Sequence, residues 1–222
     1  MIDVRKIIAE EIQKNPVGPD SIVYCDMDGV LVDFATGAIK LSNDIISGNA
    51  KQEWVAQSKS MRKAIRTIKE KDPSFIVKSS QDLDIPEVRS LMFAAIGFNP
   101  GEFFSMLPPL DDGLNVLWPY LNSLPNKVVL LTAPVGNRRG VDSMTAGEGK
   151  KLWAQEWLSP SPADVIISPA RSKSDHASSG SVSHILIDDK ASTIRSWNES
   201  GYGILHITGD SSSTVSRLKE IL

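Results

Sequence analysis

One cysteine, Cys25, stands in a chain of 222 residues, so no internal disulfide can brace the fold. Aromatic residues make up only 6% of the chain, and no apolar run reaches the roughly 18 residues that a membrane-spanning helix needs. The formal charge is −3 at pH 7, which argues against a broad basic surface for nucleic acid but leaves room for a local groove that grips one phosphate. The opening residues do not read as a leader, so none is expected. The expectation is a soluble, cytoplasmic protein with no membrane association and no extended nucleic-acid surface; its oligomeric state is left open, a homodimer included. The histidines His176, His184 and His206 have no metal-ligand spacing. A cysteine-phosphatase loop would need an arginine six residues after Cys25, where Leu31 stands. "GEGKK" fails as a nucleotide-binding loop, because Lys150 is followed by Lys151 and Met144 takes the first glycine position.

What the chain does have is a 41% hydrophobic content, enough for a full core, distributed in short blocks. "SIVYCD", "KVVLLTAP", "ADVIISP", "HILIDD" and "YGILHITG" are apolar runs that each end on a polar or breaker residue. Helical patterns lie between them: "DDGLNVLWPYLNSL", "EGKKLWAQEWL", "KASTIRSWNES" and "SSSTVSRLKEIL". Another, "IDVRKIIAEEIQKN", precedes the first strand. The pattern predicts an α/β fold, a Rossmann-like parallel sheet with helices on both faces. Between the first and second strands lie about a hundred residues, far more than a crossover requires. Their helical stretches, "TGAIKLSNDIIS", Ala50 to Lys71 and "PEVRSLMFAAIG", predict a mainly helical cap inserted after strand one. The expected division is a core of residues 1–35 and 105–222 and a cap of residues 36–104. The Ser-rich stretch from Arg171 to Ser183 is expected to be a mobile loop, either a connector or a lid.

In parallel α/β sheets ligands bind outside the carboxyl ends of the strands, so the residues that close each strand carry the chemistry. Here they are Asp26, Met27 and Asp28 after the first strand, Thr132 after the second, and Asp188 and Asp189 after the fourth. Carboxylates brought together repel one another, and a divalent cation is the natural compensation; oxygen-only ligands suit Mg2+. The set is also a phosphoryl-transfer kit. Asp26 can attack phosphorus, Asp28 can carry a proton to the leaving oxygen, and Thr132 with Lys150 can hold the phosphate oxygens. Lys151 and Lys173 remain alternatives to Lys150. Gly29 permits the tight turn after Asp28.

In chain order, "DMDGVLVDF", "LLTAP", "GKKLW" and "LIDD" resemble the four motifs of the haloacid dehalogenase superfamily. Within it the chain is most similar to the 5'(3')-deoxyribonucleotidase family, through "CDMDGVLVDF", "FFSMLPPLDDGLNVL", "KKLW" and "ILIDD". The resemblance implies a phosphomonoesterase working through an aspartyl phosphate, with a nucleoside monophosphate as substrate. Asp26 would be the nucleophile, Asp28 the acid and base, and Thr132 and Lys150 the phosphate binders. Mg2+ would sit on the Asp26 carboxylate, the Asp28 carbonyl and Asp189, with Asp188 beside it. Phe34 would line the nucleotide pocket. Ala133, in the phosphate-binding stretch, stands where mammalian-type members have serine, which removes one donor; Arg138 or Arg139 could replace it or be an exposed basic pair. Two alternatives stay open: a phosphatase of sugar phosphates or DNA 3'-phosphate ends, and a receiver-like phosphoacceptor module. A receiver, however, carries its phosphorylated Asp on a middle strand and its Lys last.

Overall fold

The computed structural model describes residues 17–49, 51–135 and 141–222. The expected N-terminal helix "IDVRKIIAEEIQKN" and the Arg138–Arg139 pair lie outside them. The chain forms two compact units. The first contains the described residues up to Val30, Asp112–Thr132 and Pro162–Leu222; the second contains Leu31–Asp111 and Ala133–Ser161.

All five apolar runs become strands of one sheet in the first unit. β1 is Val23–Cys25, β2 Val128–Thr132 and β3 Val165–Ile167; a small antiparallel pair follows, β4 Ser178–Ser179 and β5 Val182–Ser183; then come β6 Ile185–Asp188 and β7 Tyr202–Leu205. The sheet order is β3-β2-β1-β6-β7, with every neighbour pair parallel. The fold is therefore α/β, with a parallel sheet flanked by helices. β1 is central because its residues are apolar on both sides: Tyr24 packs with Val129, Leu131, Leu186, Ile194 and Trp197 on one face, while Val23, Cys25, Leu130 and Ile187 are buried from the other. Register aligns Cys25 with Leu130 and with Ile187, so the polar residues that close β1, β2 and β6 emerge at one end of the sheet.

The second unit is helical. α1 spans Phe34–Ile46, α2 Gln52–Gln57, α3 Lys59–Lys71, α4 Pro86–Ile96 and α5 Pro100–Ser105. The stretch expected as one helix from Ala50 to Lys71 is broken at Ser58, whose extended backbone and side chain cap α3 at Met61 N–H. Asp33 caps α1 by accepting the Thr36 N–H at 2.9 Å, so it is a helix-start residue. In the first unit, α6 (Trp118–Ser123) precedes β2. The chain returns to the second unit for α7, Ser143–Trp157, which packs on α5 so tightly that a methyl group on Gly149 would overlap the Gly101 carbonyl. The indole N–H of Trp153 donates to the Leu107 carbonyl at 2.8 Å. α8 (Ala191–Trp197) links β6 to β7, and α9 (Ser211–Ile221) closes the described chain.

The Ser-rich stretch departs from expectation. It is ordered rather than an open connector: residues Ala170–His176 form a 3-10 helix, β4 and β5 form a hairpin, and Lys173 inside it is only 1% exposed. A polar segment can order in this way when its hydrogen bonds and charges find partners elsewhere in the fold.

Candidate active site

Asp26 follows directly on β1 and is 3% exposed. Its Oδ1 accepts the Met27 N–H at 2.8 Å, which fixes the carboxylate, and its Oδ2 lies 3.0 Å from Lys173 Nζ. Lys173 also donates to Asp188 Oδ2 at 2.7 Å. One ammonium thus bridges two buried carboxylates that arrive from different strands. Burial pulls the Lys173 ammonium down, but the charges of Asp26 and Asp188 outweigh it and hold the group above its ordinary value.

Asp26, Asp188 and Asp189 present carboxylate oxygens within 4.8 Å of one another. A single lysine cannot neutralise three carboxylates. Burial, and then the charge of Asp26, raises Asp188 despite Lys173. Burial, Asp26, Asp188 and Asp28 push Asp189 up to about 6, against the pull of Lys190. The two acidic neighbours differ in occupancy. Asp188 has Lys173 on Oδ2 and the Lys190 N–H, at 2.8 Å, on Oδ1. Asp189 Oδ1 is buried with no hydrogen-bond partner. A buried unpartnered carboxylate oxygen beside two further carboxylates fits a hard divalent cation such as Mg2+, so the residues present suit the ion that the sequence implies. Gly29, with φ +78°, lies so near Asp189 that a methyl group on it would overlap Asp189 Oδ2. This close approach brings the Asp28–Gly29 turn against the acidic group.

Thr132 ends β2 fully buried, and its carbonyl accepts the Ser168 N–H at 3.0 Å. Ala133 follows it, half-buried. Asp28 is half-buried, one residue before Gly29. Ala133 already belongs to the second unit, as do the remaining two sequence candidates. Lys150 is on α7, 1% exposed, with Nζ 5.0 Å above the Phe104 ring. Phe34 begins α1, in an aromatic cluster with Phe103 at 5.8 Å and Phe104 at 6.3 Å between centroids. The structure therefore gathers Asp26, Asp188 and Asp189 and adds Lys173, the last of the three lysines that the sequence left open. Cys25 is fully buried, with its thiol pushed up by burial and by Asp26. It is an inert packing residue.

The first unit also contains a Ser–His contact, Ser179 Oγ to His184 Nε2 at 3.0 Å. It is not a nucleophile–base pair. His184 Nδ1 accepts the Ile22 N–H at 3.1 Å, so the ring proton of the neutral imidazole is on Nε2 and points at Ser179. The ring thus has no lone pair to take the serine's proton. Its role is to tie the hairpin to β1. Burial and the neighbouring His176 hold His184 below the ordinary imidazole value. An unfolded chain therefore takes up this proton first as pH falls, and the contribution of His184 to stability, complete above about pH 6.5, is lost below it. Melting curves of wild type and His184→Gln between pH 7.5 and 5.5 should converge as pH falls. A constant gap between them would show that the ring does not titrate on unfolding.

No model of a known protein family matches the sequence, and no curated protein matches it. Among solved structures, a hydrolase from Streptococcus pneumoniae aligns with a TM-score of 0.42 at 10% identity, covering 90% of this chain and 100% of the other. The defluorinating L-2-haloacid dehalogenase Rha0230 aligns at 0.44 and 11% identity over 90% and 87%. YfnB of Bacillus subtilis, assigned as a HAD-hydrolase and bound to magnesium, aligns at 0.44 and 12% identity over 91% and 98%. Likeness this loose decides nothing about chemistry, which rests on the residues themselves.

Proposed function

We propose that the protein is a Mg2+-dependent phosphomonoesterase of the haloacid dehalogenase superfamily, acting through an aspartyl phosphate on Asp26. The observation that carries this reading is the Asp26 carboxylate: buried at the end of the central strand, with one oxygen 3.0 Å from Lys173, in a group with Asp188 and Asp189. Structural ion pairs seldom collect more like charge than they neutralise, whereas sites that handle phosphate and metal do.

In this mechanism an Asp26 oxygen attacks phosphorus and the bond from phosphorus to the ester oxygen breaks. Asp28, half-buried and so within reach of solvent, gives its proton to the leaving oxygen. Asp28 then takes a proton from water, whose oxygen attacks the aspartyl phosphate, releasing phosphate and restoring Asp26. Lys173, with the Thr132 hydroxyl and Lys150 as the motif resemblance has it, would hold the phosphate oxygens as charge builds on them. Asp26, Asp189 and the Asp28 carbonyl would hold Mg2+, which supplies charge neutralisation for the phosphate. Asp188, with both oxygens engaged, orients Lys173.

The substrate proposed is a (deoxy)nucleoside monophosphate, supported by the resemblance of "CDMDGVLVDF", "FFSMLPPLDDGLNVL", "KKLW" and "ILIDD" to the deoxyribonucleotidase family and by the aromatic Phe34. The helical insert expected over residues 36–104 would be its selecting cap. A phosphate-release screen across 5'- and 3'-nucleotides, sugar phosphates and a 3'-phosphorylated oligonucleotide, with Mg2+ or with EDTA, tests both parts. Nucleoside monophosphates should exceed the other esters by roughly tenfold or more, and only with Mg2+. Equal weak activity on every ester would remove the nucleotidase part. A long-lived phosphoprotein without turnover would favour the phosphoacceptor reading.

A further inference from the structure

The loop between β7 and α9, residues 206–210, is tied at both ends. At its start the His206 N–H donates to the Asp188 carbonyl at 3.0 Å, extending the β6–β7 ladder by one step, and the His206 ring meets Thr214 Oγ1 at 2.8 Å. At its end Asp210 caps α9 by accepting the Ser213 N–H at 3.1 Å, and the Ser211 N–H donates to Asp112 at 2.9 Å. Gly209, at φ +85°, lets the loop reverse between these anchors. From this frame the Thr208 hydroxyl donates to the Gly29 carbonyl at 2.7 Å, joining residues 179 apart in sequence.

Gly29 carries the turn after Asp28 and leaves no room for a side chain between itself and the Asp189 carboxylate. Within the turn, the Val30 N–H to Met27 carbonyl bond is long, 3.2 Å. The loop therefore touches both segments that build the acidic group: Asp188 through His206, and the Asp28–Gly29 turn through Thr208. We infer that Thr208 is a positioning residue, holding the Asp28–Gly29 turn in its close approach to Asp189. This inference rests on the phosphatase reading above. Thr208 itself is exposed, so water replaces much of what its hydroxyl gives to stability. Its effect on the site is thus separable from any effect on the fold.

Thr208→Val keeps the shape of the side chain and removes the donor; Thr208→Ser keeps the donor. Mg2+ alone is titrated calorimetrically into wild type and both variants, alongside thermal melts and phosphate-release kinetics. Thr208→Val should weaken Mg2+ binding by about tenfold and lower kcat more than it changes KM. Its melting temperature should stay within about 2 °C of wild type, and Thr208→Ser should restore both binding and kcat. Wild-type Mg2+ affinity in Thr208→Val overturns the inference, as does a loss that Thr208→Ser does not restore and that follows the melting temperature. Should wild type bind Mg2+ but hydrolyse no ester, the phosphatase reading fails and the titration alone decides the role of Thr208. Should wild type bind no Mg2+ at millimolar concentration, both fail.

Discussion

Replacing Asp26 by asparagine is expected to reduce turnover of an aryl phosphate on the order of 10⁴-fold or more, because in the proposed mechanism Asp26 is the group that forms the covalent intermediate. The same substitution should leave the melting temperature at or above that of wild type. Asp26 is a source of the upward pressure on both Asp188 and Asp189, so removing its charge relieves repulsion, while Lys173 keeps its 2.7 Å bond to Asp188. Loss of activity without loss of stability marks a carboxylate retained for chemistry at a cost to the fold. Retained turnover would remove Asp26 as nucleophile, and a large drop in melting temperature would make its role structural.

Lys173→Met should act in the opposite direction. The lysine side chain is 2% exposed and faces two carboxylates that are 4% and 0% exposed. Taking away the cation leaves both charges buried and mutually repelling, a change that typically costs about 3–5 kcal/mol. For a chain of this length that corresponds to roughly 6–20 °C in melting temperature. Turnover should fall by about 10²–10³-fold, the usual cost of one lost charge-stabilising donor. The double variant Asp26→Asn with Lys173→Met should recover part of the stability, since only one ionised partner of Lys173 then remains. Lys150→Met provides the contrast. If Lys150 is the main phosphate holder, its loss will abolish turnover and Lys173→Met will mainly destabilise. A Lys173→Met protein that melts like wild type would show that the ion pairs contribute nothing.

How much of this was legible in the sequence depended on whether the signal was local. The five strands were, because buried parallel strands are short apolar runs and the polar residue ending each run marks its carboxyl end: Asp26, Thr132 and Asp188 could be read directly. Lys173 could not be singled out. It sits in "RSKSDHASSG", a segment whose composition predicts a solvated loop, and it is buried by carboxylates at positions 26 and 188 rather than by apolar neighbours. Nothing in a local pattern reports such partners. Thr208 is hidden for the same reason, its acceptor lying at Gly29. The break at Ser58 was in principle visible, since serine is a favoured N-cap, but the surrounding charged residues continue the helical pattern across it.

The sheet order β3-β2-β1-β6-β7 bears on how the molecule is made. The ribosome delivers the central strand first, yet its two flanking strands begin only at Val128 and Ile185. A nascent chain therefore carries β1 with both edges open until β2 emerges, and with one edge still open until β6 does, as a strand able to pair with other chains. The acidic group completes later still, because Asp26 has neither Lys173 nor Asp188 to face until those residues emerge. Premature stops or slow codons late in the message should thus be disproportionately harmful, yielding aggregation rather than a partly folded protein.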